Sequence, residues 1–155
     1  MKTLMRAAAI LLLISCSMAA KSQGFAVEFV RQAPLKKDAL FSQAILWVAE
    51  TFISQRAVLD VKDKDLGTII GNGVTSVNVG AAFLPVSQPL SFKIRIDVKD
   101  GRYRMSFSDV RLLTSGGSRR IEDSNRQSME PVARESFEAL ANSLDEYMAK
   151  PRDDF

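Results

Sequence analysis

The chain has 155 residues, of which 46% are hydrophobic and 25% charged, and this composition fits one globular domain rather than a disordered chain. Its net charge of +3 is too small to indicate nucleic-acid binding. It contains no histidine, which excludes the ordinary forms of serine–histidine and cysteine–histidine catalysis, and its single cysteine excludes an internal disulfide.

The first 20 residues have the layout of a secretory signal peptide. Lys2 and Arg6 precede an apolar run at residues 7–14, and this run is too short to span a bilayer, which needs about 20 apolar residues. The tetrapeptide LISC, which ends at Cys16, resembles the bacterial lipobox. The resemblance implies lipidation of Cys16, and the lipid would anchor the protein to a membrane. The mature domain is expected to comprise residues 21–155.

A second cleavage interpretation stays open, because the small residues near Ala19 and Ala20 suit the general signal peptidase. The product would then be periplasmic or secreted rather than lipid-anchored. Both interpretations place the domain outside the cytoplasm. For the lipid-anchored form, Ser17 favours the outer membrane, by analogy with lipoprotein sorting in some bacteria.

The first elements predicted in the mature chain are a strand and a helix. Phe25, Val27 and Phe29 alternate with less apolar residues, which predicts a strand. From about Lys36 the apolar residues recur at helical spacing and predict a helix with Trp47 in the core and Gln43 off the apolar stripe.

Two strands follow, at residues 57–62 and about 68–79. The second of them contains Gly71 and Gly73, which predict a bulge or a strong twist, because glycine weakens a strand interior unless the backbone needs it.

The segment SFKIRIDVKDGRYRMSF predicts a hairpin, because Asp100-Gly101 is a strong two-residue turn between alternating strands. The turn fixes the register, with Lys99 opposite Arg102 and Asp97 opposite Arg104. One face of the hairpin is apolar and predicted to be core. The other face carries a basic ladder, which consists of Lys93, Arg95, Lys99, Arg102 and Arg104.

The polar segment at residues 114–130 is predicted to be a long mobile connection. A second helix is predicted to begin at Pro131, since proline is accepted at the first helical position, and to end before Pro151.

The order β-α-β-β-β-β-α predicts an α+β fold, with one antiparallel five-stranded sheet and both helices on the same face. The segments LKKDALFSQAILWVAETF, DLGTIIGNGVTSVNVG and SFKIRIDVKDGRYRMSFSDV resemble a family of exported bacterial proteins, so that the resemblance covers residues 24–112. That family is described as a domain of unknown function with a TATA-box-binding-protein-like (TBP-like) fold. The resemblance implies this fold and supplies neither an activity nor catalytic residues.

No nucleic-acid partner is expected, although the TATA-binding protein holds a minor groove with its sheet. The open face here would carry lysine, arginine and aspartate, and an exported protein does not meet its own genome. Fold similarity does not transfer function.

Two groups of residues are candidate contact sites. The basic ladder could bind phosphate or carboxylate groups, and the alternative is a solvated sheet face on which Asp97 and Arg104 form a weak pair. The apolar side chains Phe83, Leu84 and Val86 could contact a partner, and the alternative is a loop folded over the end of the sheet. No catalytic residue, metal ligand or cofactor is predicted.

Three functional hypotheses follow in order of preference. The first is a non-enzymatic interaction module of the cell envelope, whose partner is an envelope protein or an anionic polymer. The second is an anion-binding module that recognises a lipid headgroup or polysaccharide through the basic ladder. The third is an unrecognised hydrolase, which no sequence motif supports.

Overall fold

In the computed structural model of the protein, an antiparallel sheet packs against two helices. The structure describes residues 24–52, 58–79, 86–123 and 126–150, so the predicted signal peptide, Cys16, Phe83 and Leu84 lie outside the described residues. The elements are β1 (Val27–Gln32), α1 (Lys37–Thr51), β2 (Val58–Asp63), β3 (Thr68–Val79), β4 (Val86–Lys99), β5 (Arg102–Thr114), β6 (Gly117–Arg120) and α2 (Arg126–Ala149).

The sheet has the strand order β1-β5-β4-β3-β2, and every pairing is antiparallel. The predicted hairpin register is confirmed, with Lys99 opposite Arg102 and Asp97 opposite Arg104. At the turn, Gly101 has a φ of +77°, a conformation that glycine adopts without steric cost. The strong local turn therefore sets which side chains share a face.

The sheet has six strands, so the prediction of five is wrong by one strand. The extra strand, β6, lies within the segment predicted to be a mobile connection and pairs with the last residues of β5. Directly after it, Ile121 is completely buried. The four residues of β6 are all exposed, so they carry no alternation that a sequence pattern could reveal.

Helix α2 begins at Arg126, five residues before the predicted start at Pro131, which lies inside the helix. Met129 is buried and lies one turn before the buried Ala133, so the apolar stripe extends past the proline toward the helix start. As the sixth residue of the helix, Pro131 removes one backbone hydrogen bond and crowds the carbonyl of residue 127, and the burial of Met129 nevertheless favours the longer helix.

Three phenylalanines form the centre of the core. The rings of Phe107 and Phe137 stack at 4.3 Å, and Phe92 meets Phe137 edge to face at 5.1 Å. Trp47 is 1% exposed, as predicted for a core residue, and its Nε1 donates a hydrogen bond to Ser143 Oγ at 3.1 Å. These contacts fix both helices on one face of the sheet.

Helix α1 begins where the β4–β5 turn supplies a hydrogen-bond acceptor. Asp100 Oδ1 accepts a hydrogen bond from Lys37 N at 2.8 Å, which satisfies one of the free N–H groups of the first helical turn. Gln43, predicted to lie off the apolar stripe, is buried instead. Among the described residues, no helix is both long and apolar enough to span a membrane.

Candidate binding surface on the open sheet face

The basic ladder lies on the sheet face opposite the helices. Alternation along β4 and β5 buries Ile94, Ile96, Met105 and Phe107, and it turns the intervening side chains outward. The ladder residues are all exposed: Lys93, Arg95, Lys99, Arg102 and Arg104. The sequence therefore predicted correctly that these five cations share one face.

Asp97 forms the centre of a charged network on this face. Its carboxylate accepts hydrogen bonds from Arg95 Nε at 2.9 Å, Arg104 Nη2 at 2.9 Å and Thr68 Oγ1 at 2.8 Å. Its side chain is only 15% exposed. Burial alone would raise the pKa of Asp97, but the hydrogen bonds from Arg95, Arg104 and Thr68 outweigh it and lower the pKa to about 2. Asp97 is therefore ionised and holds both guanidinium groups in place.

The remaining ladder cations have a different environment. Within the described ranges, Lys93, Lys99 and Arg102 form no ion pair, and all three are exposed. Lys99 and Arg102 lie directly opposite each other, which is an unfavourable arrangement for a sheet. These three charges are free to meet a ligand without breaking an internal contact.

A shallow depression of about 220 Å³ lies at the turn end of this face. It is lined by Val30, Asp97, Lys99, Arg102, Tyr103 and Arg104. Val30 is 55% exposed and supplies an apolar border on the neighbouring strand β1. The basic ladder thus has one concave end beside the β4–β5 turn.

The predicted apolar contact set is only partly described. Phe83 and Leu84 lie outside the described residues. Val86 is the first residue of β4, lies opposite Val79 and is 48% exposed. Its exposure is compatible with a contact role, which stays a prediction.

A larger cavity of about 730 Å³ on the helix side was missed by the sequence interpretation. Beside it, Arg31 Nε lies 3.1 Å from Asp145 Oδ2, and the Tyr103 hydroxyl donates a hydrogen bond to the same carboxylate. Burial, followed by the contact with Asp145, raises the pKa of Tyr103. One signal was present: Arg31 follows Phe25, Val27 and Phe29 at the alternation that points inward.

The side chains of Arg31 and Tyr103 beside this cavity both contact Asp145. Arg31 contacts Asp145 and donates to Asn142 Oδ1 at 3.3 Å, and Tyr103 is bound to Asp145. The arrangement ties β1 and β5 to α2. In the part of the chain that the structure describes, no group of three His, Cys, Asp or Glu side chains could hold a metal ion.

The comparison with protein families shows to which family the chain belongs. Residues 28–112, more than half of the sequence, match the family described as a domain of unknown function (DUF4468) with TBP-like fold. The chain belongs to this family. The expected family and the α+β fold are thus confirmed, and DUF4468 membership by itself names no ligand or reaction.

Two solved structures are similar to this DUF4468 chain. A DUF4468 family protein from Bacteroides ovatus is 12% identical, with 84% of this chain and 89% of that chain covered at a TM-score of 0.58. A TBP-like protein from Parabacteroides distasonis is also 12% identical, with 82% and 94% covered at a TM-score of 0.67. At this identity the likeness shows the fold alone. No curated protein matches the chain.

Proposed function

We propose that this DUF4468 protein is a non-enzymatic interaction module of the cell envelope, which binds an anionic envelope component with the open face of its sheet. The partner is recognised through phosphate or carboxylate groups, because arginine and lysine side chains bind both. The apolar face of the same sheet is occupied by the two helices, so the open face is the broad surface left for a partner.

One observation carries this proposal. Lys93, Lys99 and Arg102 are exposed without an ion pair among the described residues, beside two arginines that Asp97 holds in place. A face that served solubility alone would gain stability from mixed charges across the strands. Here Lys99 and Arg102 lie opposite each other instead, and a bound anion would relieve their repulsion.

The proposed location rests on the N-terminal sequence, in which LISC resembles a lipobox. A lipid on Cys16 would tether the domain to a membrane, with each buried methylene contributing about 0.8 kcal/mol. We expect the full-length protein to incorporate labelled palmitate and to fractionate with membranes, and the Cys16→Ser variant to do neither. A Cys16→Ser variant that still carries label would contradict the lipid anchor.

The binding proposal is tested with the unlipidated mature chain, residues 17–155, which retains every residue that the structure describes. Its binding to phosphatidylglycerol-containing vesicles and to purified anionic envelope polysaccharide is measured over a salt series. The test variant changes Lys93, Lys99 and Arg102 to glutamate, since none of these residues supports an internal ion pair among the described residues. We expect salt-sensitive binding to at least one of the two ligands that the variant loses.

A matched control makes the same change of net charge away from the open face. Lys36, Lys62 and Arg119 are exposed, and their substitution by glutamate should leave binding within about threefold of the wild type. Equal loss in both variants would mean that net charge, rather than this face, attracts the ligand. Absence of binding to both ligands at low salt would overturn the anion-binding proposal and redirect the search to protein partners.

A further inference from the structure

We infer that the turn end of the β4–β5 hairpin is a phosphate-binding subsite, in which Lys99, Arg102 and Arg104 hold a phosphate group carried by an envelope lipid or glycan. The inference rests on the proposed function, because it names the ligand group and its position on the same face. It goes beyond the proposed function because it assigns phosphate binding to one end of the basic ladder instead of to its whole length.

The acidic residues of the open face are unevenly placed. Near Lys93, its cross-strand neighbour Asn72 donates a hydrogen bond to Asp60 Oδ2 at 2.7 Å, so a carboxylate lies close to that end of the ladder. At the other end, Arg102 lies between Lys99 and the uncharged Gln32. Beside the turn, two cations without an ion pair among the described residues therefore lie next to each other.

The two carboxylates nearest to the turn end are already engaged. Asp100 Oδ1 accepts the hydrogen bond from Lys37 N and caps helix α1. Asp97 is occupied by Arg95 and Arg104, and Glu28, whose Oε2 lies 3.9 Å from Arg104 Nε, offsets the remaining charge of these two arginines. Among the described residues, neither carboxylate forms an ion pair with Lys99 or Arg102.

The shape of this end also suits a compact anion. The depression of about 220 Å³ is several times the roughly 30 Å³ that one water molecule occupies in the liquid, so it has room for a phosphate and part of its carrier. The bond from Arg104 Nη2 to Asp97 fixes the plane of that guanidinium at the wall of the depression. A fixed guanidinium loses less conformational entropy when it binds an oxyanion.

Charge balance favours phosphate over carboxylate. Asp97 and Glu28 together balance Arg95 and Arg104, so Lys99 and Arg102 offer about two uncompensated positive charges. A phosphate monoester carries about −1.5 to −2 at neutral pH, whereas a carboxylate carries −1. We therefore expect phosphate monoesters to bind more tightly than carboxylates on the same carrier.

The test uses residues 17–155 and follows backbone amide chemical shifts during titration with glucose 1-phosphate and with glucuronate. A parallel series measures binding to phosphatidylcholine vesicles with and without phosphatidic acid. Glucose 1-phosphate should bind more tightly than glucuronate and shift the amides that flank Asp100 and Gly101. The two phosphate carriers distinguish a glycan source from a lipid source.

Two variants with equal charge change locate the binding. Lys99→Glu combined with Arg102→Glu keeps a like-charge pair across the strands, so its effect on hairpin stability is matched to the wild type. Lys93→Glu combined with Lys62→Glu changes the same number of charges at the other end and at the β2 edge. Circular dichroism checks that both variants fold. We expect the first to lose about tenfold or more of its phosphate affinity and the second to stay within about threefold.

The outcomes separate this inference from the proposed function. Equal weakening by the two variants, or equal affinity for glucose 1-phosphate and glucuronate, would overturn the subsite and leave the anion-binding face intact. Absence of any binding to vesicles, polysaccharide or glucose 1-phosphate would overturn both. Loss confined to the Lys99 and Arg102 variant, with a preference for phosphate, would establish the subsite.

Discussion

The β4–β5 hairpin has two faces with different physical roles, although alternating residues of the same two strands form both. On the helix side, Ile94, Ile96, Met105 and Phe107 are between 0% and 2% exposed and make up the middle of the core. On the open side, the neighbouring positions carry exposed cations around Asp97. Substitutions on the first face therefore test folding, whereas substitutions on the second can test binding without unfolding the protein.

The largest effect is expected on the core face. Phe137→Ala removes the ring that stacks on Phe107 at 4.3 Å and leaves a cavity between α2 and the sheet. The free energy of unfolding should fall by about 3–5 kcal/mol, as measured by urea denaturation followed by circular dichroism. Phe137→Leu keeps most of the volume and should lose less. A loss below about 1 kcal/mol for the alanine variant would contradict a tightly packed core face.

A second test of core packing adds atoms instead of removing them. A Cβ at Gly73 would lie 2.8 Å from the ring of Phe92, whose other contacts with Phe107 and Phe137 prevent it from moving. Gly73→Ala should therefore destabilise the fold by about 1–3 kcal/mol. Gly116→Ala, where the new Cβ would meet only Thr114 Oγ1 at 3.9 Å, is the control and should change stability by less than about 0.5 kcal/mol. Stabilisation by Gly73→Ala would refute the predicted clash.

The charged network of the open face should contribute a pH-dependent stability. The pKa of Asp97 is about 2 in the folded protein against an ordinary value of 3.8, so the contribution is present above about pH 4 and is lost as pH falls through about 2. Allowing for solvent screening of the half-exposed arginines, we expect about 1–2 kcal/mol. Unfolding of the wild type and Asp97→Asn, measured from pH 6 to pH 2, should show a gap that closes at the acidic end. A gap independent of pH would contradict the role of the carboxylate charge.

The smallest effect should have the opposite sign. Lys99→Glu turns the like-charge pair with Arg102 into an opposite-charge pair and should stabilise the hairpin by about 0.2–1 kcal/mol at low salt. The same variant should bind phosphate more weakly. Lys93→Glu, which lies opposite Ser108 on β5, is the comparison and should not stabilise the protein. Destabilisation by Lys99→Glu would mean that Lys99 supports the fold.

Sequence patterns were sufficient to predict those structural features that depend on residues adjacent in the chain. The Asp100-Gly101 turn and the alternation around it fixed the register of β4 with β5, and hence placed all five cations on one face. The spacing of α1 likewise identified Trp47 as core. Local propensity and periodicity contain this information because adjacent residues set the turn and the face.

Sequence patterns did not predict the features that depend on contacts between residues far apart in the sequence. Strand β6 has four exposed residues and forms because the end of β5 offers it hydrogen-bonding partners. Gln43 is buried because of what packs around α1, and the early start of α2 follows the burial of Met129 against the core. The contact of Arg31 with Asp145 joins residues far apart in sequence, so no local sequence pattern could predict this pairing.

Sequence patterns were enough for the fold class, the hairpin register and the separation of apolar from basic side chains, because these follow from strand and helix periodicity and from a strong turn. Which of the basic side chains lack an ion pair depends on how the strands assemble. The packing of β3 beside β4 brings Thr68 to Asp97, and the carboxylate then binds Arg95 and Arg104 while Lys99 and Arg102 stay unpaired among the described residues. Electrostatic pairing depends on distances in space, and these exist only once the strands have assembled.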